Sequence, residues 1–180
     1  MQLVKTHFRD LFIIQPRVFA DERGYFLETY NKEAFTRQGL QIDFVQDNQS
    51  GSVANVIRGL HFQLPPHAQG KLVRVISGSV LDVALDLRKG EPTFGHHFKM
   101  HLSAADNQMI YIPGGFAHGF KTLEDNTVFA YKCTHHYVRE AERTIQWNDP
   151  VLGIDWESDN PILSEKDKTG LAFDDFNSPF

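Results

Sequence analysis

Apolar and polar residues alternate with period two along most of the chain, the spacing that separates the two faces of a β-strand. The cleanest stretch is Val80-Leu81-Asp82-Val83-Ala84-Leu85-Asp86-Leu87, in which Leu81, Val83, Leu85 and Leu87 share one apolar face. A β-branched run, Lys71-Leu72-Val73-Arg74-Val75-Ile76, precedes it, and the intervening Gly78-Ser79 is a two-residue turn signal, so the pair predicts a β-hairpin. Strands are also predicted at Leu11–Ile14, Tyr25–Tyr30, Phe44–Gln49, Val56–Phe62, Phe94–Leu102, Met109–Ile112, Phe116–Thr122 and Thr127–Thr134, making about ten short strands. One early helix is predicted over Lys32–Gln38, with Asn31 as a side-chain N-cap and Gly39 as the residue that ends it. Strands this dense, separated by Gly, Pro and Asn/Asp turns rather than helices, predict an all-β chain of the jelly-roll β-barrel type with short peripheral helices. Beyond about residue 140 the text turns polar around Trp147 and Trp156, as expected of loops and short helical turns wrapped on a barrel.

Composition narrows the partners. The 180 residues carry 18 Lys+Arg against 23 Asp+Glu, a formal charge of −5, with 41% hydrophobic and 23% charged residues. That is a chain able to bury its own core as a single domain spanning 1–180, and its mild acidity argues against a nucleic-acid polymer as partner. Cys133 is the lone cysteine, no signal-peptide pattern opens the chain, and no window reaches the roughly 18 apolar residues of a membrane span. A cytoplasmic protein without membrane contact is expected.

Three strings carry more polar chemistry than a structural strand needs: Arg58-Gly59-Leu60-His61-Phe62-Gln63, Gly70-Lys71-Leu72-Val73-Arg74, and Ile112-Pro113-Gly114-Gly115-Phe116-Ala117-His118-Gly119-Phe120. Each sets a cation or imidazole beside a glycine, which in a strand marks a bulge or a close approach to a ligand. Arg58 and His61 have opposite parity, and a bulge at Gly59 would bring both to one face. Pro113-Gly114-Gly115-Phe116-Ala117-His118 resembles the second motif of the cupin superfamily, whose histidine often binds metal. The first cupin motif is broken: the chain reads His61-Phe62-Gln63-Leu64-Pro65-Pro66-His67, so two of three ligands are missing, and no metal is expected. His96, His97, His101, His135 and His136 are given no role.

A closer resemblance rests on these strings together with Asp21-Glu22-Arg23-Gly24-Tyr25-Phe26, Phe44-Val45-Gln46-Asp47-Asn48, Asp82-Val83-Ala84-Leu85-Asp86-Leu87-Arg88, Tyr131-Lys132 and Trp147-Asn148-Asp149-Pro150. In this order, over nearly the whole chain, they resemble the dTDP-4-dehydrorhamnose 3,5-epimerases. The resemblance implies a cupin-type jelly roll without metal or other cofactor, usually a homodimer, acting on a small-molecule sugar nucleotide, dTDP-4-dehydro-6-deoxy-glucose. A C3-only or C5-only epimerase and a non-catalytic sugar-nucleotide-binding cupin are the alternatives. Inversion beside a ketone needs a base and an acid on opposite faces; His61 suits the base and Tyr131 the acid, with Lys71 as a cation for the enolate. The resemblance assigns Asp167 as the carboxylate partner of His61, with Asp174 or Asp175 as alternatives. Arg23 and Arg58 suit a diphosphate, and Tyr137 suits stacking on thymine. By resemblance Glu28, Gln46, Asn48, His118, Glu142 and Lys166 contact nucleotide or sugar, and the segment carrying Arg23 and Glu28 crosses to the partner subunit.

Overall fold

The computed structural model describes residues 1–180. The chain runs β1 (Gln2–Lys5), β2 (Phe12–Gln15), β3 (Val18–Asp21), β4 (Gly24–Leu27), α1 (Lys32–Arg37), β5 (Gln46–Ser52), β6 (Ile57–Gln63), β7 (Lys71–Ser77), β8 (Ser79–Asp86), β9 (His97–Ser103), β10 (Met109–Ile112), β11 (Phe116–Thr122), β12 (Thr127–Cys133), β13 (Glu142–Thr144) and α2 (Glu165–Lys168). Two antiparallel sheets of order β1-β2-β10-β7-β12-β5 and β13-β6-β11-β8-β9 face each other as an all-β cupin-type jelly roll, and β3-β4 stand apart as a two-stranded ribbon. No helix is long and apolar enough to cross a membrane.

The main core lies between the sheets, where Val73, Val75, Ile110 and Phe129 of one meet Val80, Ala84, Leu102, Phe116 and Phe120 of the other. A second core covers the outer face of the five-stranded sheet: Ile57, Leu60, Val83, Leu85, Leu87 and Ala117 pack against Leu152, Ile154 and Trp156 of the C-terminal segment. β8 is therefore buried on both faces, and its most apolar face lies under the tail rather than in the barrel. A third cluster seats Phe35 of α1 on Ile14, Leu72 and Met109 of the six-stranded sheet. Asn31 caps α1 as expected, its side chain accepting from the Ala34 amide at 3.1 Å.

The predicted β7–β8 hairpin does not form. β7 pairs with β10 and β12, whereas β8 pairs with β9 and β11 in the other sheet. Gly78, at φ +77°, turns the chain between sheets in a place where a Cβ would lie 2.4 Å from the Thr127 hydroxyl. Alternation told which side chains share a face and left the pairing partner open, so a two-residue turn between apolar runs served as a barrel corner instead of a hairpin. The strand expected from Phe94 begins only at His97, and β1, β3 and β13 were not anticipated.

Candidate active site

β6 pairs His61 with His118 and Arg58 with Phe120 of β11, so three steps on β6 match two on its neighbour. The extra residue is a β-bulge at Gly59-Leu60, and it resolves the parity conflict: Arg58 and His61 line the same cavity. The bulge needs two glycines back to back. A Cβ on Gly59, whose φ is +141°, would lie 2.4 Å from Gly119 Cα.

Asp167 reaches His61 from the C-terminal segment. Ser164 caps α2 by accepting from the Asp167 amide at 3.2 Å, and its hydroxyl donates to Asp167 Oδ2 at 2.6 Å. Oδ1 lies 2.5 Å from His61 Nε2 and also accepts from the Gly59 amide at 3.4 Å. Asp167 is 3% exposed. Burial pushes His61 below the ordinary imidazole range, opposed by the Asp167 carboxylate. Burial pushes Asp167 up, but donation from His61 and Ser164 outweighs it and holds the carboxyl below its usual value. A mostly neutral imidazole, oriented by a charged carboxylate on one nitrogen, leaves Nδ1 as the ring nitrogen free for a proton. Asp174 and Asp175 lie in a separate turn, Phe173–Asp175, and neither contacts His61.

Lys71 opens β7 and is buried, its Nζ donating to the His61 carbonyl at 3.3 Å and lying 5.9 Å from the Tyr131 ring centroid. Burial pushes this ammonium below its ordinary value. Tyr131 shares the inward face of β12 with Phe129 and Cys133, and burial pushes its phenol up, keeping it protonated. His61, Lys71 and Tyr131 stand where two cavities of about 310 Å³ each adjoin. One is lined by Gln46, Asn48, Gln63, Gln69, Tyr137 and Glu142, and the other by Gln49, Ser50, Arg58, His118, Phe120, Ser164, Lys166 and Asp167. Glu142 and Lys166 form an ion pair at this site, and the Tyr137 hydroxyl donates to Glu142 at 3.0 Å.

His118 lies beside His61 on the neighbouring strand and is buried, its Nε2 2.9 Å from Asp82 Oδ2. Asp82 was not anticipated as a site residue, although it opens one of the strings that carry the family resemblance and is an acid on the less apolar face of β8. Gln49, Ser50, Phe62, Gln63, Gln69, Phe120 and Ser164 are the other lining residues not foreseen. Arg23 and Glu28 lie outside the cavities. Arg23 sits at the tip of the β3-β4 ribbon, 85% exposed and paired with Asp21, and Glu28 accepts from the Asn31 side chain at 2.9 Å. No group of three or more His, Cys, Asp or Glu side chains is arranged to hold a metal ion.

The sequence model of the dTDP-4-dehydrorhamnose 3,5-epimerases matches residues 5–175. The chain belongs to this family. It is 50% identical over 177 residues to the dTDP-4-dehydrorhamnose 3,5-epimerase of Pseudomonas aeruginosa, with 97% of each chain covered. The crystal structure of the Elizabethkingia anophelis enzyme superposes with a TM-score of 0.93 at 50% identity, again over 97% of each chain. That of the Legionella pneumophila dTDP-6-deoxy-D-glucose-3,5-epimerase, in complex with dTDP-4-keto-L-rhamnose, gives a TM-score of 0.93 at 42% identity, over 98% of this chain and 94% of the other.

Proposed function

We propose that the chain inverts C3 and C5 of dTDP-4-dehydro-6-deoxy-D-glucose to give dTDP-4-dehydro-L-rhamnose. The observation that carries this reading is the His61–Asp167 pair, set beside Lys71 and Tyr131 at the junction of two cavities in a chain of this family. The C4 ketone acidifies the hydrogens on both neighbouring carbons. Neutral His61 removes one of them, the C–H electron pair becomes the enolate double bond, and the carbonyl electrons move onto O4. Asp167 stabilises the imidazolium that forms. Lys71 faces the growing charge on O4, and because its own burial disfavours an isolated cation, the pairing strengthens as the enolate develops. Tyr131 donates its phenolic proton to the opposite face of the same carbon, which inverts it. Solvent returns a proton to the phenolate and removes one from His61, and the cycle repeats at the second carbon.

Arg58 and Lys166 supply positive charge for the diphosphate, Tyr137 packs on the base, and Gln46, Asn48, His118 and Glu142 contact nucleotide or sugar. Arg23 and Glu28 act in trans. The β3-β4 ribbon exposes Phe19, Tyr25 and Phe26, which supports a homodimer in which each ribbon lies on the partner subunit and delivers Arg23 to its site. The reaction runs in the cytoplasm and without a metal, so chelation leaves it unchanged.

The test is incubation with dTDP-4-dehydro-6-deoxy-D-glucose in D₂O, with proton NMR reading label position and product configuration. Deuterium is expected at C3 and C5 of a product inverted at both. His61→Ala is expected to abolish turnover and exchange together, and exchange surviving in that variant would remove His61 as the base.

A further inference from the structure

We infer that Gln63 is a positioning residue that holds Tyr137 at the mouth of the nucleotide cavity. Gln63 is the last residue of β6 and is 3% exposed. Its amide nitrogen donates to the His67 carbonyl at 2.8 Å and the His136 carbonyl at 3.1 Å, and its oxygen accepts from the Val138 amide at 2.6 Å. A side-chain amide has two protons to donate, so both are spent on the backbone and none remains for a ligand, although Gln63 lines the cavity wall. The reverse orientation would set its oxygen against two carbonyls, so the network dictates the amide's direction.

The other side of the loop is held by Gln46, whose oxygen accepts from the Tyr137 amide at 2.8 Å. The peptide groups around Tyr137 are thus gripped by two glutamines, one from β5 and one from β6, which belong to different sheets. Gln69 adds a bond to the His135 carbonyl at 2.7 Å. Tyr137 itself is 51% exposed, so little packing holds its ring; the bond from its hydroxyl to Glu142 orients the ring, and the backbone grip fixes where the loop presents it. A ring fixed before the ligand arrives spares binding the cost of ordering that loop. The inference rests on the proposal that Tyr137 packs on the base.

The experiment uses the full chain with Gln63→Met, which keeps the side chain's length and removes all three bonds, and reads binding of dTDP and of inorganic pyrophosphate by calorimetry. The expected result is a dTDP Kd raised on the order of tenfold with pyrophosphate affinity unchanged, because pyrophosphate has no base. Tyr137→Ala is expected to weaken dTDP similarly, and the double variant to bind no more weakly than Tyr137→Ala alone. Equal weakening of dTDP and pyrophosphate means general damage and overturns the inference, as do multiplying losses in the double variant. If Tyr137→Ala weakens dTDP and Gln63→Met does not, the inference fails while the role of Tyr137 stands; if Tyr137→Ala has no effect, that role fails and the inference with it. Should Gln63→Met not fold, amide hydrogen exchange on the unsubstituted, ligand-free protein decides. Protected Tyr137 and Val138 amides support the grip, and fast exchange at both overturns it.

Discussion

Replacing Asp167 by Asn keeps the shape of the side chain and removes its charge. At neutral pH His61 is mostly neutral, since burial holds it below imidazole's ordinary 6.5, so the 2.5 Å contact joins a neutral donor to a charged acceptor. Such a bond contributes about 1.5–3 kcal/mol, so Asp167→Asn is expected to lower Tm by roughly 3–12 °C. Catalysis suffers more. The imidazolium formed during proton abstraction loses the carboxylate that stabilises it, and the ring loses its fixed orientation, so turnover is expected to fall by about 10²- to 10⁴-fold. The pH profile gives an independent sign. The base works when neutral, so kcat/KM falls as pH drops through the His61 pKa. In the native protein Asp167 raises that pKa against the effect of burial. Without the carboxylate, burial acts unopposed by it, and the acid limb moves to lower pH. The assay is deuterium wash-in at C3 and C5 by proton NMR across pH 4.5–8, on protein checked for folding by circular dichroism at 25 °C. Native turnover, or an acid limb displaced to higher pH, refutes the reasoning.

Tyr131→Phe is expected to retain wash-in of deuterium while net inversion falls, because abstraction survives and only delivery to the far face is lost; product NMR showing full inversion removes Tyr131 from the mechanism. Lys71→Met is expected to lower kcat by about 10²- to 10³-fold, the scale of losing one oxyanion donor, with dTDP affinity nearly unchanged, since the sugar O4 proposed to face Lys71 is absent from dTDP; steady-state kinetics and calorimetry check the split. Gly59→Ala puts a Cβ 2.4 Å from Gly119 Cα and is expected to cost at least about 1–3 kcal/mol, read by calorimetric melting, and an unchanged Tm contradicts the close approach. Stability is expected to decline on acidification in two windows. His61, lowered on folding, loses its contribution as pH falls below 6.5, where the unfolded chain takes up the proton first; Asp167, lowered from 3.8, loses its contribution as pH falls below that value. Urea unfolding at a series of pH values measures both.

Local order is written locally, and this much the chain by itself determined. Period-two alternation marked β8, β11 and β12, Asn31 and Gly39 bounded α1, and ordered strings around His61, Lys71 and His118 pointed to the family and its chemistry. Arg58, His61, Lys71 and Tyr131 were nameable because their residue types fit proton transfer and anion binding, whereas Asp167 was nameable only through the family resemblance, with Asp174 and Asp175 left open beside it. Tertiary structure alone decided what depends on partners distant in the chain. Gly78 became a corner between sheets because β7 pairs with β10 and β12 in one sheet while β8 pairs with β9 and β11 in the other. The bulge at Gly59 formed against Gly119, which lies on a different strand, and only then did Arg58 and His61 share a face. Asp167 was chosen over Asp174 and Asp175 by the cap that Ser164 places on α2, and Gln63 was committed to the backbone of His67, His136 and Val138 by the fold of two loops. A side chain's chemistry is a property of its residue, whereas its partners are set by which strands pair, and pairing is settled by burial of both sheet faces over the whole chain.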